Sequence, residues 1–186
     1  MTEPALVVTL ANAGIPRRPA HARVATSADP LRDPGAAGDV LAAFLGRAVH
    51  ERELPALRDL QRAVAAIVEA LVDGGQPTVT PLNRIAGANP VAWMLERGEN
   101  GRLRATLGGA DTSAVAVLAA RSARELADLD PGRLRRCARH ECKLFFYDAS
   151  RSGTQRWHSE RPCGARERQR RHRTARTTTE QPTQVG

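Results

Sequence analysis

Three cysteines and one histidine near the end of this 186-residue sequence could do chemistry together. Cys137 and Cys142 have four residues between them, as do His158 and Cys163, so the pattern reads C-x4-C-x15-H-x4-C. Thiolate and imidazole suit zinc, which takes four such donors at tetrahedral corners, and short paired spacings supply them two at a time. An odd number of cysteines favours metal binding over a disulfide framework. We expect one zinc ion per chain, held by Cys137, Cys142, His158 and Cys163.

Other arrangements of these residues were weighed. Three buried free thiols beside an exposed His158, or a Cys137–Cys142 disulfide, would need no metal. His140 and His172 are alternative fourth donors. His140 shares a short knuckle with two cysteines, where geometry is poor, and His172 lies about two helical turns or more beyond Cys163. His158 has the symmetrical spacing and is preferred. The run His158-Ser-Glu160 with Pro162-Cys163 has elements of a zinc deaminase, but position 166 is Arg where a second cysteine is required, and the two elements abut. That reading fails. Residues before position 133 offer only His21 and His50 as imidazoles, no cysteine, and carboxylates scattered on polar helix faces. Four protein donors also leave zinc no open position for water, so no enzymatic activity is expected.

The elements that position this cluster divide by charge. Residues 133–176 carry thirteen Arg and Lys143 against Glu141, Asp148, Glu160 and Glu167, a net of +10. Residues 1–132 carry fourteen Arg against fifteen acids, a net of −1. A polyanionic partner is expected at the basic end. Arg151, Arg156, Arg161, Arg166, Arg168, Arg170, Arg171 and Arg173 surround the expected finger and are the candidate nucleic-acid contacts, with a solvated surface as the plainer alternative. No run approaches the roughly 18 apolar residues of a membrane span. The apolar stretch 5–15 has no basic residue ahead of it, so a signal peptide is not expected and the chain is expected to be cytoplasmic.

The sequence divides as an irregular segment 1–38, a helical regulatory or sensor-like domain 39–130, a zinc finger 133–176 and a disordered tail 177–186. Asp39 is taken as the N-cap of a first helix carrying Val40, Leu41, Phe44, Leu45 and Val49. The next begins near Pro55, presents Leu57, Leu60, Val64, Ile67, Val68 and Leu71 on one face, and stops at Gly74 and Gly75. Thr80-Pro81 opens a short helix. Two extended runs flank Glu99-Asn100-Gly101 and predict a hairpin. A long helix starts near Asp111 or Thr112 and ends near Leu129, with Ser122 interrupting its apolar face. In the basic end the order is knuckle, a strand over 143–148, a turn, a returning strand over 155–159 and a helix over 164–176. The fold class is therefore mainly α, with a helical domain bearing a small β-hairpin, followed by a treble-clef-like ββα zinc finger. A piece of about 40 residues rarely folds on its own core, so the finger is expected to be unfolded without metal.

The stretch Arg135-Arg136-Cys137, Cys142-Lys-Leu-Phe-Phe-Tyr-Asp148-Ala-Ser-Arg151, Arg156-Trp157-His158-Ser159 and Cys163-Gly164-Ala165-Arg166 resembles the CGNR zinc-finger family. His158 stands where that family usually has cysteine, and Ala165 replaces the asparagine of the name-giving motif. Leu57-Arg58-Asp59-Leu60, Pro81-Leu82-Asn83 and Leu126-Ala-Asp-Leu129 follow the order of the helical region that usually precedes the finger, whereas 6–14 departs from it. The resemblance implies zinc ligation by Cys137, Cys142 and Cys163, and a bacterial transcription regulator with a sensor-like region. A small-molecule effector and a homodimer are compatible with such a regulator, although no heptad seam supports dimerisation.

The function expected is double-stranded DNA binding through the phosphate backbone, with Arg166 and Arg170 spaced to reach base edges together. RNA binding is the alternative if Phe146, Tyr147 or Trp157 are exposed for stacking, although we read those rings as the finger's small core. A zinc-stabilised protein-interaction module is the third reading.

Overall fold

A computed structural model of the chain describes residues 5–15, 29–98, 100–108 and 112–179. Its elements in order are α1 (Ala5–Ala13), α2 (Pro34–Leu45), α3 (Leu54–Val72), α4 (Thr80–Ala88), β1 (Trp93–Arg97), β2 (Leu103–Leu107), α5 (Ala114–Asp128), β3 (Leu134–Arg136), β4 (Phe145–Tyr147) and α6 (Ala165–Thr179). Each strand pair is a separate antiparallel hairpin, β1 with β2 and β3 with β4.

The largest departure from the sequence expectation lies in the segment 1–38. Residues 5–13 are not irregular: they form α1, which packs against α3, α5 and β4. Leu6, Val7, Leu10, Ala11 and Ala13 are buried. A helix's first N–H groups lack intrahelical partners. Here the Glu125 carboxylate on α5 accepts from Leu6 and Val7, each at 3.1 Å. Burial, the largest influence on that carboxyl, raises its pKa.

The expected irregular stretch also ends earlier than position 38. The Asp33 side chain accepts from Ala36 N–H at 2.8 Å with Pro34 in the first turn, so Asp33 rather than Asp39 caps α2, and left-handed Gly46 ends the helix before Val49. Residues 16–28, including His21, lie outside the described residues, as does Asp111. Ser113, not Asp111 or Thr112, caps α5. The expected tail begins late, because α6 continues to Thr179; residues 180–186 are outside the description.

The apolar face read for the second predicted helix is the buried face of α3. Ser122 is buried as part of the α5 core face, with no hydrogen-bond partner for its hydroxyl. Glu53 fastens α3 to α5: it pairs with Arg47 at 2.6 Å, accepts from His50 N–H at 3.0 Å and from Ala114 N–H, at the start of α5, at 2.7 Å. The Arg47 hydrogen bond is the chief reason its carboxyl is held down at about 2.

The finger is joined to this helical body through β3 and β4. Leu134 pairs with Tyr147, Arg135 with Phe146 and Arg136 with Phe145. Leu134, Phe145 and Tyr147 belong to the same apolar core as α1, α3 and α5. The bonds Cys137 N–H to Leu144 C=O (2.9 Å) and Asp148 N–H to Arg133 C=O (2.7 Å) set the ladder. By antiparallel alternation, Phe145 N–H and C=O then point away from β3. Asn12 of α1 meets both: Phe145 N–H donates to Asn12 Oδ1 at 2.8 Å, and Asn12 Nδ2 donates to Phe145 C=O at 2.9 Å.

Two outcomes test this framework. Asn12→Ala leaves two buried backbone groups unpaired and should lower unfolding free energy by about 2 kcal/mol in denaturant titrations. Glu53→Gln should cost on the order of 2–3 kcal/mol at neutral pH. Because the folded pKa is depressed, that contribution is complete above the ordinary glutamate value and is lost as pH falls toward about 2. The stability gap between wild type and Glu53→Gln should therefore close on acidification through this window.

Candidate metal centre and its basic surround

Cys137 follows β3 directly, at the point where the chain leaves the ladder, and is buried. The knuckle 137–142 turns on Cys142 N–H to Arg139 C=O at 2.9 Å, which brings Cys142 back toward Cys137. Ala138 N–H donates to Arg156 C=O at 2.8 Å and draws the segment carrying His158 against the knuckle. Cys163 lies in a single π-helical turn, Glu160–Gly164, that leads into α6, and it is buried.

The donor atoms of Cys137, Cys142, His158 and Cys163 all lie within 4.8 Å of one another. His158 Nδ1 is 3.4 Å from Cys142 Sγ and 3.6 Å from Cys163 Sγ. Zinc bonds of ~2.3 Å to sulfur and ~2.0 Å to nitrogen, at tetrahedral angles, would separate the two atoms by about 3.5 Å. The donor set is Cys3His and fits one zinc ion, with His158 rather than His140 or His172 as its nitrogen.

The electrostatics favour a cation. Burial first, then the neighbouring Cys137 and Cys163 sulfurs, push the Cys142 thiol up to about 12. Burial is also the main reason the Cys163 thiol is raised. A divalent ion at the centre overcomes this resistance, because it binds thiolate and displaces the protons. The nearby Arg139 guanidinium opposes that rise and favours the Cys163 thiolate, while it pairs with Glu141.

The expected returning strand over 155–159 is not formed. β4 pairs instead with β3, ahead of the knuckle. After Tyr147 the buried Asp148 carboxylate gathers the chain into a turn: it accepts from Ser150 N–H at 3.0 Å and Gln155 N–H at 2.8 Å, as well as from the Ser150 hydroxyl. The Ser150 hydroxyl is the leading cause of a lowered pKa at Asp148. Arg135 lies 3.4 Å from the same carboxylate.

The eight candidate contact arginines do not stand alike. Arg151, Arg156, Arg161, Arg168, Arg170, Arg171 and Arg173 are exposed and Arg166 is half-buried. Arg168 pairs with Glu160, while Arg170 (2.7 Å) and Arg171 (3.4 Å) pair with Glu167. Arg156 and Arg168 lie over the Trp157 ring, 5.4 and 5.9 Å from its centroid. Phe145, Phe146 and Tyr147 are buried.

Arginines outside that set hold the finger together. Arg133 donates to Asp148 C=O at 3.0 Å and Ser150 C=O at 2.8 Å, and Arg135 to Gly153 C=O at 2.7 Å. Arg136 reaches Glu69 (3.3 Å) and Asp73 (3.5 Å) at the end of α3 and sits over the Phe145 ring. Their placement beside the knuckle and the Phe-rich strand was the one signal in the sequence. A cleft of about 350 Å³ opens between the knuckle and α6, walled by Arg139, His140, Arg166, Arg170 and Arg173 together with Glu167 and others.

Residues 5–133 match the model of the ABATE family, described as "putative stress-induced transcription regulator". The chain belongs to this family. Residues 133–176 match the CGNR zinc finger, so the ABATE match ends where the finger begins. Among curated proteins none matches the chain. Within this ABATE protein, Ala165, which replaces the finger's usual asparagine, is exposed at the first position of α6.

Purified protein should contain one zinc per chain by elemental analysis. Cys163→Ser should weaken zinc binding roughly 100-fold, about a quarter of the ~10 kcal/mol or more that a structural site supplies, and His158→Cys should retain it. Chelation should remove hydrogen-exchange protection from 137–142 and 158–173 while α3 stays protected, because β3 and β4 remain anchored in the helical core.

Proposed function

We propose that this ABATE protein is a cytoplasmic transcription regulator that binds double-stranded DNA through its zinc-ordered finger. The observation that carries the reading is α6 beside the arginine-walled cleft. Among its fifteen residues only Ala165 and Ala175 are apolar, so the helix has no face to bury in a protein core. Glu167, itself buried, neutralises part of the charge at its start. The surplus charge suits phosphate, for which guanidinium is a bidentate partner.

In this reading zinc is structural. It fixes the knuckle and the start of α6, and the four protein donors leave no role for it in hydrolysis. Arg151, Arg156, Arg161, Arg168, Arg171 and Arg173 meet phosphates and set orientation, and Arg166 and Arg170, one turn apart, read guanine edges once Arg170 exchanges Glu167 for the base. Phe146 and Tyr147 are buried and the half-buried Trp157 ring is covered by Arg156 and Arg168, which favours duplex over single-stranded RNA, because stacking platforms must be open to bases.

Fluorescence anisotropy of a labelled mixed-sequence duplex tests the proposal. With six to ten phosphate contacts, affinity should fall roughly 10³- to 10⁵-fold between 50 and 200 mM salt, and a zinc chelator should abolish binding. Stronger binding to single strands would favour RNA. No salt-sensitive binding at all would leave a protein-interaction finger.

A further inference from the structure

The hairpin of β1 and β2 is at odds with the rest of the body. Five large apolar side chains are exposed among the described residues, and four of them, Trp93, Met94, Leu95 and Leu103, are on this hairpin. Trp93 is 64% exposed, Leu95 72% and Leu103 66%. The register pairs Trp93 with Leu107, Leu95 with Ala105 and Arg97 with Leu103, which puts Trp93, Leu95, Leu103, Ala105 and Leu107 on one face. The other face carries Met94, Thr106 and the Glu96–Arg104 ion pair. The hairpin is therefore amphipathic: its apolar face is buried at the base, at Leu107, and then runs into solvent.

Among the described residues, neither strand packs extensively on any element but the other. A lone two-stranded hairpin is marginal in water and normally needs a covered apolar face. We infer that this face is covered by the same face of a second copy of the chain, forming a two-fold symmetric dimer.

Three observations favour that occupant. The first is area. Trp93, Leu95, Leu103 and Ala105 expose on the order of 400 Å² of apolar surface, a patch typical of functional surfaces. That is about half of the ~800 Å² per partner in a standard interface, and Arg97 and the free strand edges form its polar rim. The second is charge. Residues 93–107 carry three Arg and two Glu, nearly neutral, so two copies meet without the repulsion that residues 133–176 would impose. The third is composition. The segments of this sequence outside the description offer little to cover such a face: Met1 in 1–4, Val24 in 16–28 and Val185 in 180–186 are their large apolar residues, and 99 and 109–111 have none. A two-fold contact needs one self-complementary patch, and this hairpin carries four of the five exposed large apolar side chains among the described residues.

Sedimentation velocity of the zinc-loaded full chain across micromolar concentrations tests the inference. Wild type should sediment as a concentration-dependent dimer, and Leu95→Glu/Leu103→Glu should raise the dissociation constant at least ~10-fold with an unchanged circular dichroism spectrum. Met94→Glu, on the opposite face, should leave the dimer intact. A wild-type monomer at every concentration would overturn the inference, as would a dimer indifferent to the double substitution. Because none of these readouts involves nucleic acid, failure here and failure of DNA binding are separate results.

Discussion

A six-residue ladder, β3 and β4, is shared between two cores, and most of the finger's geometry depends on it. Leu134, Phe145 and Tyr147 face the helical body, whereas Arg135 and Phe146 face the finger. Successive strand residues alternate sides, so a hairpin this short can serve both cores only if its register is held. Asn12 holds it at the outer edge and Arg136 holds it against Glu69 and Asp73. The two domains are thus continuous through hydrogen bonds and packing. The expectation that a finger of this size hangs on zinc alone treats it as a bead on a string. In the structure the strands borrow the body's core, which leaves the knuckle, the π-helical turn and α6 as the parts that zinc would order.

The high positive charge of the C-terminal end is partitioned by the same logic. Arg133 and Arg135 satisfy carbonyls in the Asp148 turn, and Arg139 sits near enough to Cys163 to favour its thiolate. These guanidiniums stand in for the apolar material that so small a module lacks: Arg133 satisfies two part-buried carbonyls and Arg135 a third. Acids then sit where the remaining charge would strain the fold: Glu167 inside the first turn of α6, near the positive end of the helix dipole, and Glu160 against Arg168. The arginines left at the surface are those on the outer faces of the turn and the helix.

Legibility in the sequence followed the range of the signal. The α3 core face, the Asn-Gly hairpin and the paired cysteine spacing are local patterns, and each could be read within a window of about twenty residues. α1 could not. Its sequence is apolar except for Thr9 and Asn12, so helix and strand periods look alike, and its cap is Glu125, more than a hundred residues away. The strand at 143–148 was visible but its partner was not, because the choice between 134–136 and 155–159 rests on the buried Asp148 turn. The metal ligands were legible because zinc chemistry demands particular residue types. The arginines' separate duties were not, since a guanidinium bound to a carbonyl and one facing solvent are the same letter.

The two departures from the finger's usual motif are consistent with this division of charge. Four thiolates around zinc carry a net charge of −2; three thiolates and a neutral imidazole carry −1. His158 occupies its corner with Nδ1 at nearly the separations a tetrahedral site requires, so the exchange keeps the geometry and alters the charge. A less anionic centre competes less for the guanidiniums around it, of which Arg139 is near enough to favour the Cys163 thiolate. Ala165 lies on the exposed side of the first turn of α6, where losing an asparagine side chain removes a surface group and leaves the buried turn at Cys163 and Gly164 intact. Both changes therefore act on the charge and surface of the finger, and neither disturbs the shared hairpin that positions it.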